Sequence, residues 1–153
     1  MIRDKLQQLF CDLCQAFGGC LEPFAPQLEW TGTIDLHEAS SIVLDKMDEL
    51  GATHAPLFLP DMAIKVYRVA DVKNFLALDE TNKITYIPEI KNCDDFAAQL
   101  FGLFAGLVWT NAHALNWFID TDKKFWFIEP QTDKMASSLE GWQGSSFSMF
   151  VGR

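Results

Sequence analysis

Three side chains that together can activate a thiol follow one another along the chain: a cysteine, a histidine and a glutamate. Cys93 opens a helical pattern directly after Asn92, while His113 and Glu129 lie in strand-like runs that a short turn can pair. A thiolate attacks a carbonyl when an imidazole takes its proton and an acid orients that imidazole. Cys93, His113 and Glu129 therefore predict a cysteine hydrolase, of the peptidase kind, that cleaves an amide bond.

The neighbours of these residues offer further roles. A thiol in the first turn of a helix lies at the positive end of the helix dipole, and the free N–H groups there can hold an oxyanion. Asn116 and Gln131 flank the same region and are candidates to orient His113 or to donate to a substrate. The same pattern also fits a core cysteine beside a histidine–glutamate pair that performs no chemistry.

Asp94 and Asp95 follow the cysteine directly. Two negative charges oppose formation of a thiolate, and a bound divalent cation would remove that penalty. Carboxylate oxygens are hard ligands that suit calcium better than zinc. Asp94 and Asp95 are thus candidate metal ligands, and calcium is the candidate cofactor.

The elements that must position these residues change character along the chain. Apolar residues recur at helical spacing over 2–17 and 36–50, and Asn92 is a good cap for a third helix. Beyond it the period becomes two, which predicts strands over 107–109, 113–119, 125–129 and 147–151. The expectation is one α+β domain over 1–153, with helices first and the Cys93 helix packed on an antiparallel sheet.

Composition narrows the classes of partner. Twelve basic residues stand against twenty-one acidic ones, a net charge of −9, which argues against a nucleic-acid partner. No apolar run is long enough to cross a bilayer, and the first residues lack the apolar stretch of a secretory signal. A cytoplasmic protein without a membrane partner is expected, and its oligomeric state is open.

Cys11 and Cys14 form a C-x-x-C spacing that invites a zinc or redox interpretation. A structural zinc site needs a second pair of ligands, and His37 and His54 follow at no familiar spacing. Reduced core or surface cysteines are the favoured interpretation.

Three short sequence blocks, at 86–97, 112–116 and 127–132, follow one another in the order seen in a known protein family. Together they resemble the papain-like cysteine-protease domain of the Marasmius oreades agglutinin, a fungal chimerolectin, and its small bacterial and phage relatives. The resemblance covers about residues 60–135. It implies a papain-like fold, a thiol protease with a peptide or protein substrate, Cys93 as nucleophile, His113 as general base, Glu129 as orienting acid, and calcium activation through Asp94 and Asp95. The sugar-binding repeats of the fungal protein have no counterpart in this sequence.

A second function remains open: a catalytically silent papain-like module that binds a partner or a structural metal ion. No glutamine lies shortly before Cys93 to donate to an oxyanion, and an aromatic tail of Trp142, Phe147 and Phe150 leaves room for this function. Aromatic side chains of this kind belong to a core more often than to an interface.

Overall fold

The computed structural model describes residues 27–140, 142 and 146–153. The predicted helix over 2–17 and the Cys11–Cys14 pair lie outside the described residues.

Helices are interspersed among the first strands of the described chain, and only strands follow the last of the three helices. In order, they are β1 (Gly32–Asp35), α1 (Leu36–Glu49), β2 (Leu57–Phe58), β3 (Ala63–Tyr67), α2 (Val69–Leu78), a 3₁₀ turn (Thr81–Lys83), α3 (Cys93–Leu103), β4 (Gly106–Thr110), β5 (Ala114–Asp120), β6 (Phe125–Glu129), β7 (Lys134–Ala136) and β8 (Phe147–Val151).

All eight strands belong to one mixed sheet. The strand order is β1-β3-β5-β4-β8-β2, and β6 joins β5 to β7. Strand β5 pairs antiparallel with β4 and β6 and parallel with β3, and all seven of its residues are buried. β5 is therefore the central strand around which the rest of the sheet is arranged.

The predicted fold class, a papain-like α+β domain with helices before an antiparallel sheet, is wrong. Strand β1 precedes the first described helix, and the pairs β3–β5 and β2–β8 are parallel. Residues 27–140, 142 and 146–153 form a mixed eight-stranded sheet with three interspersed helices. A period of two marks a strand, but it carries no information about which strand lies beside it or in which direction.

Helix α1 follows from local sequence, as predicted. Asp35 caps it by accepting a hydrogen bond from the backbone N–H of Glu38 at 2.8 Å. Ala39, Val43 and Met47, spaced by four, form its buried face. Gly51 follows the end of α1 and has φ +65°, a left-handed conformation that glycine adopts without strain.

Side chains alternate between two apolar clusters along β5, as the pleat of a strand requires. Leu115, Trp117 and Ile119 pack in the cluster that also contains the buried face of α1. Phe118 packs in the other cluster, with buried residues of α2 and α3. The helix that carries Cys93 is thus fixed against the face of the sheet opposite to α1. None of the described helices is long and apolar enough to span a bilayer.

Candidate functional site

The first turn of α3 is held by its cap. The Asn92 side chain accepts a hydrogen bond from the backbone N–H of Asp94 at 3.3 Å, and the Asp95 carboxylate accepts one from the backbone N–H of Asn92 at 3.0 Å. This reciprocal arrangement is a capping box. It confirms the predicted helix start and leaves the partly exposed Cys93 thiol in the first turn.

His113 follows the turn between β4 and β5, and Thr110 organises that turn. The Thr110 hydroxyl oxygen accepts from the backbone N–H of His113 at 2.9 Å and from that of Ala112 at 3.3 Å. Sequence reasoning gave Thr110 no role at the site. A threonine just before a short turn is a recognisable signal, because its hydroxyl readily bonds to nearby backbone groups.

His113 and Glu129 form the pair that their strands predicted. Their Nε2 and Oε2 atoms are 2.5 Å apart, and the side chains are only 12% and 16% exposed. Glu129 Oε1 also accepts from the backbone N–H of Gln131 at 3.2 Å, so the carboxylate is held from two sides. With Nε2 engaged by Glu129, Nδ1 is the ring nitrogen that remains for a ligand.

A small open cavity collects the predicted residues. Its volume is about 280 Å³, and it is lined by Tyr86, Cys93, Ala112, His113 and Gln131. We call this cavity the thiol–imidazole cleft. It brings Cys93, His113 and Gln131 together, and it adds Tyr86 and Ala112, to which sequence reasoning gave no role. The sequence signal that could have identified Tyr86 was an aromatic residue in a short extended segment that ends at Pro88.

Asn116 lies elsewhere. Its side chain is fully buried, and its amide donates to the carbonyl oxygens of Ala97 in α3, at 2.9 Å, and Gly106 in β4, at 3.0 Å. These bonds join the Cys93 helix to the sheet. Asn116 therefore supports the wall behind the cleft, while its suggested contact with His113 or a ligand stays a prediction.

Asp94 and Asp95 have different surroundings in the first turn of α3. Asp94 is exposed, and Asp95 is engaged in the capping box. Within the described ranges, no group of three or more His, Cys, Asp or Glu side chains is arranged to hold a metal ion. Calcium takes six to eight oxygen ligands, more than these two carboxylates supply. Calcium at this place stays a prediction.

Comparisons with known proteins bear on the fold. No family model matches the chain, and no curated protein matches it. Among solved structures it is similar to PSL1a in complex with E64, with a TM-score of 0.63 and 16% identity over 78% of this chain and 51% of that one. It is also similar to the Polyporus squamosus lectin bound to the human-type influenza-binding epitope Neu5Acα2-6Galβ1-4GlcNAc, with a TM-score of 0.58 and 15% identity over 78% of this chain and 49% of that one. The chain thus shares a fold with these structures and spans about half of their length.

These findings correct the family and the activity expected from sequence. Both structural neighbours are structures of a lectin, and no family model supports a papain-like protease. The expected activity of a cysteine hydrolase or thiol protease is therefore overturned. The positions of Cys93, His113 and Glu129 describe the shape of the site, and they do not by themselves assign a reaction to this chain. The other function left open by the sequence, a binding module, agrees better with these neighbours.

Proposed function

We propose that the chain is a carbohydrate-binding module and that the thiol–imidazole cleft holds the terminal sugar of a neutral glycan. The observation that carries this proposal is the likeness, over 78% of the chain, to a lectin solved with a bound glycan. At 15% identity the likeness is one of fold, so the ligand must be argued from the cleft itself.

The cleft has the groups that a sugar needs. Tyr86 is 52% exposed, so part of its ring is free to cover the apolar face of a sugar. His113 and Gln131 add polar groups beside it, and Glu129 holds the imidazole in one orientation. Small-molecule sites commonly combine an aromatic surface with a few oriented polar groups.

Size and charge narrow the ligand class. A cavity of about 280 Å³ is slightly smaller than the roughly 300–1,000 Å³ typical of pockets that enclose a small molecule. One sugar ring at the end of a longer glycan suits such a space. Asp94 and Glu129 lie near the cleft in a chain of net charge −9, which disfavours an anionic ligand. We therefore favour a neutral terminal sugar over a sialylated one.

A glycan array tests the proposal directly. We expect Galβ1-4GlcNAc to be retained at least as well as the same disaccharide capped with Neu5Ac. Tyr86→Ala should weaken retention by about threefold to tenfold, which corresponds to loss of an aromatic contact of roughly 0.5–1.5 kcal/mol. Tyr86→Phe is the matched control and should keep the binding, because it keeps the ring.

Three results would contradict this function. The first is an array on which no neutral glycan is retained. The second is retention that is unchanged in Tyr86→Ala. The third is an assay in which E64 attaches to Cys93 and peptides are hydrolysed in a Cys93-dependent manner, since turnover is not the property of a binding module.

A further inference from the structure

A second polar cluster lies where the 3₁₀ turn after α2 meets the turn between β6 and β7. Asn82 donates from its side-chain amide to Asp133 Oδ2 at 2.6 Å, which joins the two turns. Within the first turn, Asp79 Oδ1 accepts from the backbone N–H of Thr81 at 2.9 Å. We call Asp79, Thr81, Asn82 and Asp133 the turn cluster.

Oxygens of this cluster are buried without hydrogen-bond partners. Among the described residues, nothing donates to Thr81 Oγ1, Asn82 Oδ1 or Asp133 Oδ1, and all three atoms are inaccessible to solvent. Thr81 as a whole is 0% exposed. Buried polar atoms are nearly always paired, and an unmet one costs about 1–3 kcal/mol. The described residues contain one further orphaned side-chain oxygen, Asn116 Oδ1, and the grouping of the other three in one cluster requires an explanation.

The negative charge of the turn cluster is also poorly compensated by the protein. Burial, and then the negative charge of Asp79, raise the pKa of Asp133 to about 6, while Lys83 opposes this shift. The Lys83 ammonium lies 3.4 Å from the exposed carboxylate of Glu80, so it is shared with an acid outside the cluster. The cluster is thus rich in oxygen acceptors and poor in positive charge.

We propose that the turn cluster binds a hard divalent cation, with calcium as the ion it suits best. Its ligands would be carboxylate oxygens of Asp79 and Asp133, the amide oxygen of Asn82 and the hydroxyl of Thr81. Calcium prefers such all-oxygen sets and completes its coordination with water. One ion would supply the missing partner of the three oxygens and neutralise both acids.

This site differs from the one predicted at Asp94 and Asp95, and it does not depend on the glycan proposal. It lies between two segments that flank the thiol–imidazole cleft. Tyr86 follows Asn82 by four residues, and Gln131 precedes Asp133 by two. A bound ion would therefore tie together the segments that carry two lining residues of the cleft.

Calcium titration of chelator-treated full-length protein, by isothermal titration calorimetry and by thermal denaturation, tests the site. We expect one ion per chain and a calcium-dependent rise in Tm. Asp133→Asn should lower the calcium affinity by about tenfold or more, since affinity follows the charge of the ligands. Asparagine is chosen because Asp133 has φ +58°, a conformation that asparagine tolerates and alanine does not.

Two further variants keep the test decisive. Asp61→Asn removes the same charge from an exposed position that has no role in either candidate site, and it should leave calcium binding intact. Thr81→Val should weaken binding while preserving or raising the calcium-free Tm, because it removes a buried hydroxyl that has no protein partner. Absence of calcium binding in the unaltered protein, or retention of full binding in Asp133→Asn, would overturn the proposal.

Discussion

The thiol–imidazole cleft and the turn cluster satisfy their polar groups in opposite ways. In the cleft, Glu129 accepts from Gln131 and bonds to His113, and the cap of α3 is closed by Asp95. In the turn cluster, oxygens of Thr81 and Asp133 are buried without a donor among the described residues. The difference indicates that the cleft is formed before any ligand arrives, whereas the turn cluster is incomplete on its own.

This contrast has an energetic consequence. Replacing a side chain whose hydrogen bonds are all made leaves its partners unmet and destabilises the fold. Replacing one that has no partner removes a penalty. Substitutions around the cleft should therefore destabilise the protein without any ligand, while substitutions in the turn cluster should matter mainly when the cation is present.

The largest expected effect is at the wall behind the cleft. The Asn116 amide nitrogen makes both of its hydrogen bonds, whereas its Oδ1 is buried without a partner. Asn116→Leu removes that unpartnered oxygen but leaves two buried carbonyl oxygens, of Ala97 and Gly106, without their donor, so the loss outweighs the gain. We expect the free energy of unfolding to fall by about 2–4 kcal/mol, measured by urea denaturation. Gln131→Ala, on the rim of the cleft, is the control and should change it by less than about 0.5 kcal/mol. If Asn116→Leu lowers the free energy of unfolding no more than Gln131→Ala does, the contrast between the two regions is wrong.

A smaller effect is expected at the histidine–glutamate pair. Glu129→Leu removes the acceptor of the largely buried His113 and should lower the free energy of unfolding by about 1–3 kcal/mol. Glu129→Gln keeps an oxygen in place and should lose less, which makes it the matched variant. Equal losses in both variants would show that the charge, rather than the hydrogen bond, is what His113 requires.

The smallest effect concerns the pH dependence of the turn cluster. The pKa of Asp133, raised to about 6 by burial and Asp79 against the opposing Lys83, lies above its ordinary value of 3.8. The folded state therefore binds more protons between these two values, and the free energy of unfolding falls as the pH rises through this window. The side chain is partly exposed, so the effect should stay below about 1 kcal/mol.

Asp133→Asn cannot titrate and serves as the reference. In the presence of chelator, its Tm relative to the unaltered protein should rise between about pH 4 and pH 7. A constant difference across that range would contradict the raised pKa. With calcium present, binding by the unaltered protein should weaken below about pH 6, because the protonated carboxyl is a poorer ligand.

Local features of the sequence predicted several elements correctly. Asp35 marked the start of α1, Asn92 marked that of α3, and alternation located β4, β5, β6 and β8. The strands β1, β2 and β7 were missed because they have only two to four residues, too few for a period to be visible.

The positions of the candidate residues relative to one another were predicted in part, while their function as a site stays a prediction. Cys93, His113 and Gln131 share one cavity and Glu129 pairs with His113, since a hairpin with a short turn leaves little freedom for their arrangement. The Asn116 side-chain amide bonds to carbonyl oxygens of α3 and β4, and its predicted contact with His113 or a ligand stays a prediction. The turn cluster escaped notice because Asn82 and Asp133 are 51 residues apart and meet only in the folded chain.

The sequence by itself determined where helices cap, which faces are apolar and which chemically able side chains the chain carries, because these depend on neighbours within a few residues. Only the tertiary structure decided that the sheet is mixed, that the buried Asn116 side chain joins α3 to the sheet and that three oxygens of the turn cluster are enclosed without donors among the described residues. Those properties arise from contacts between distant segments, and their energies appear only when the segments pack.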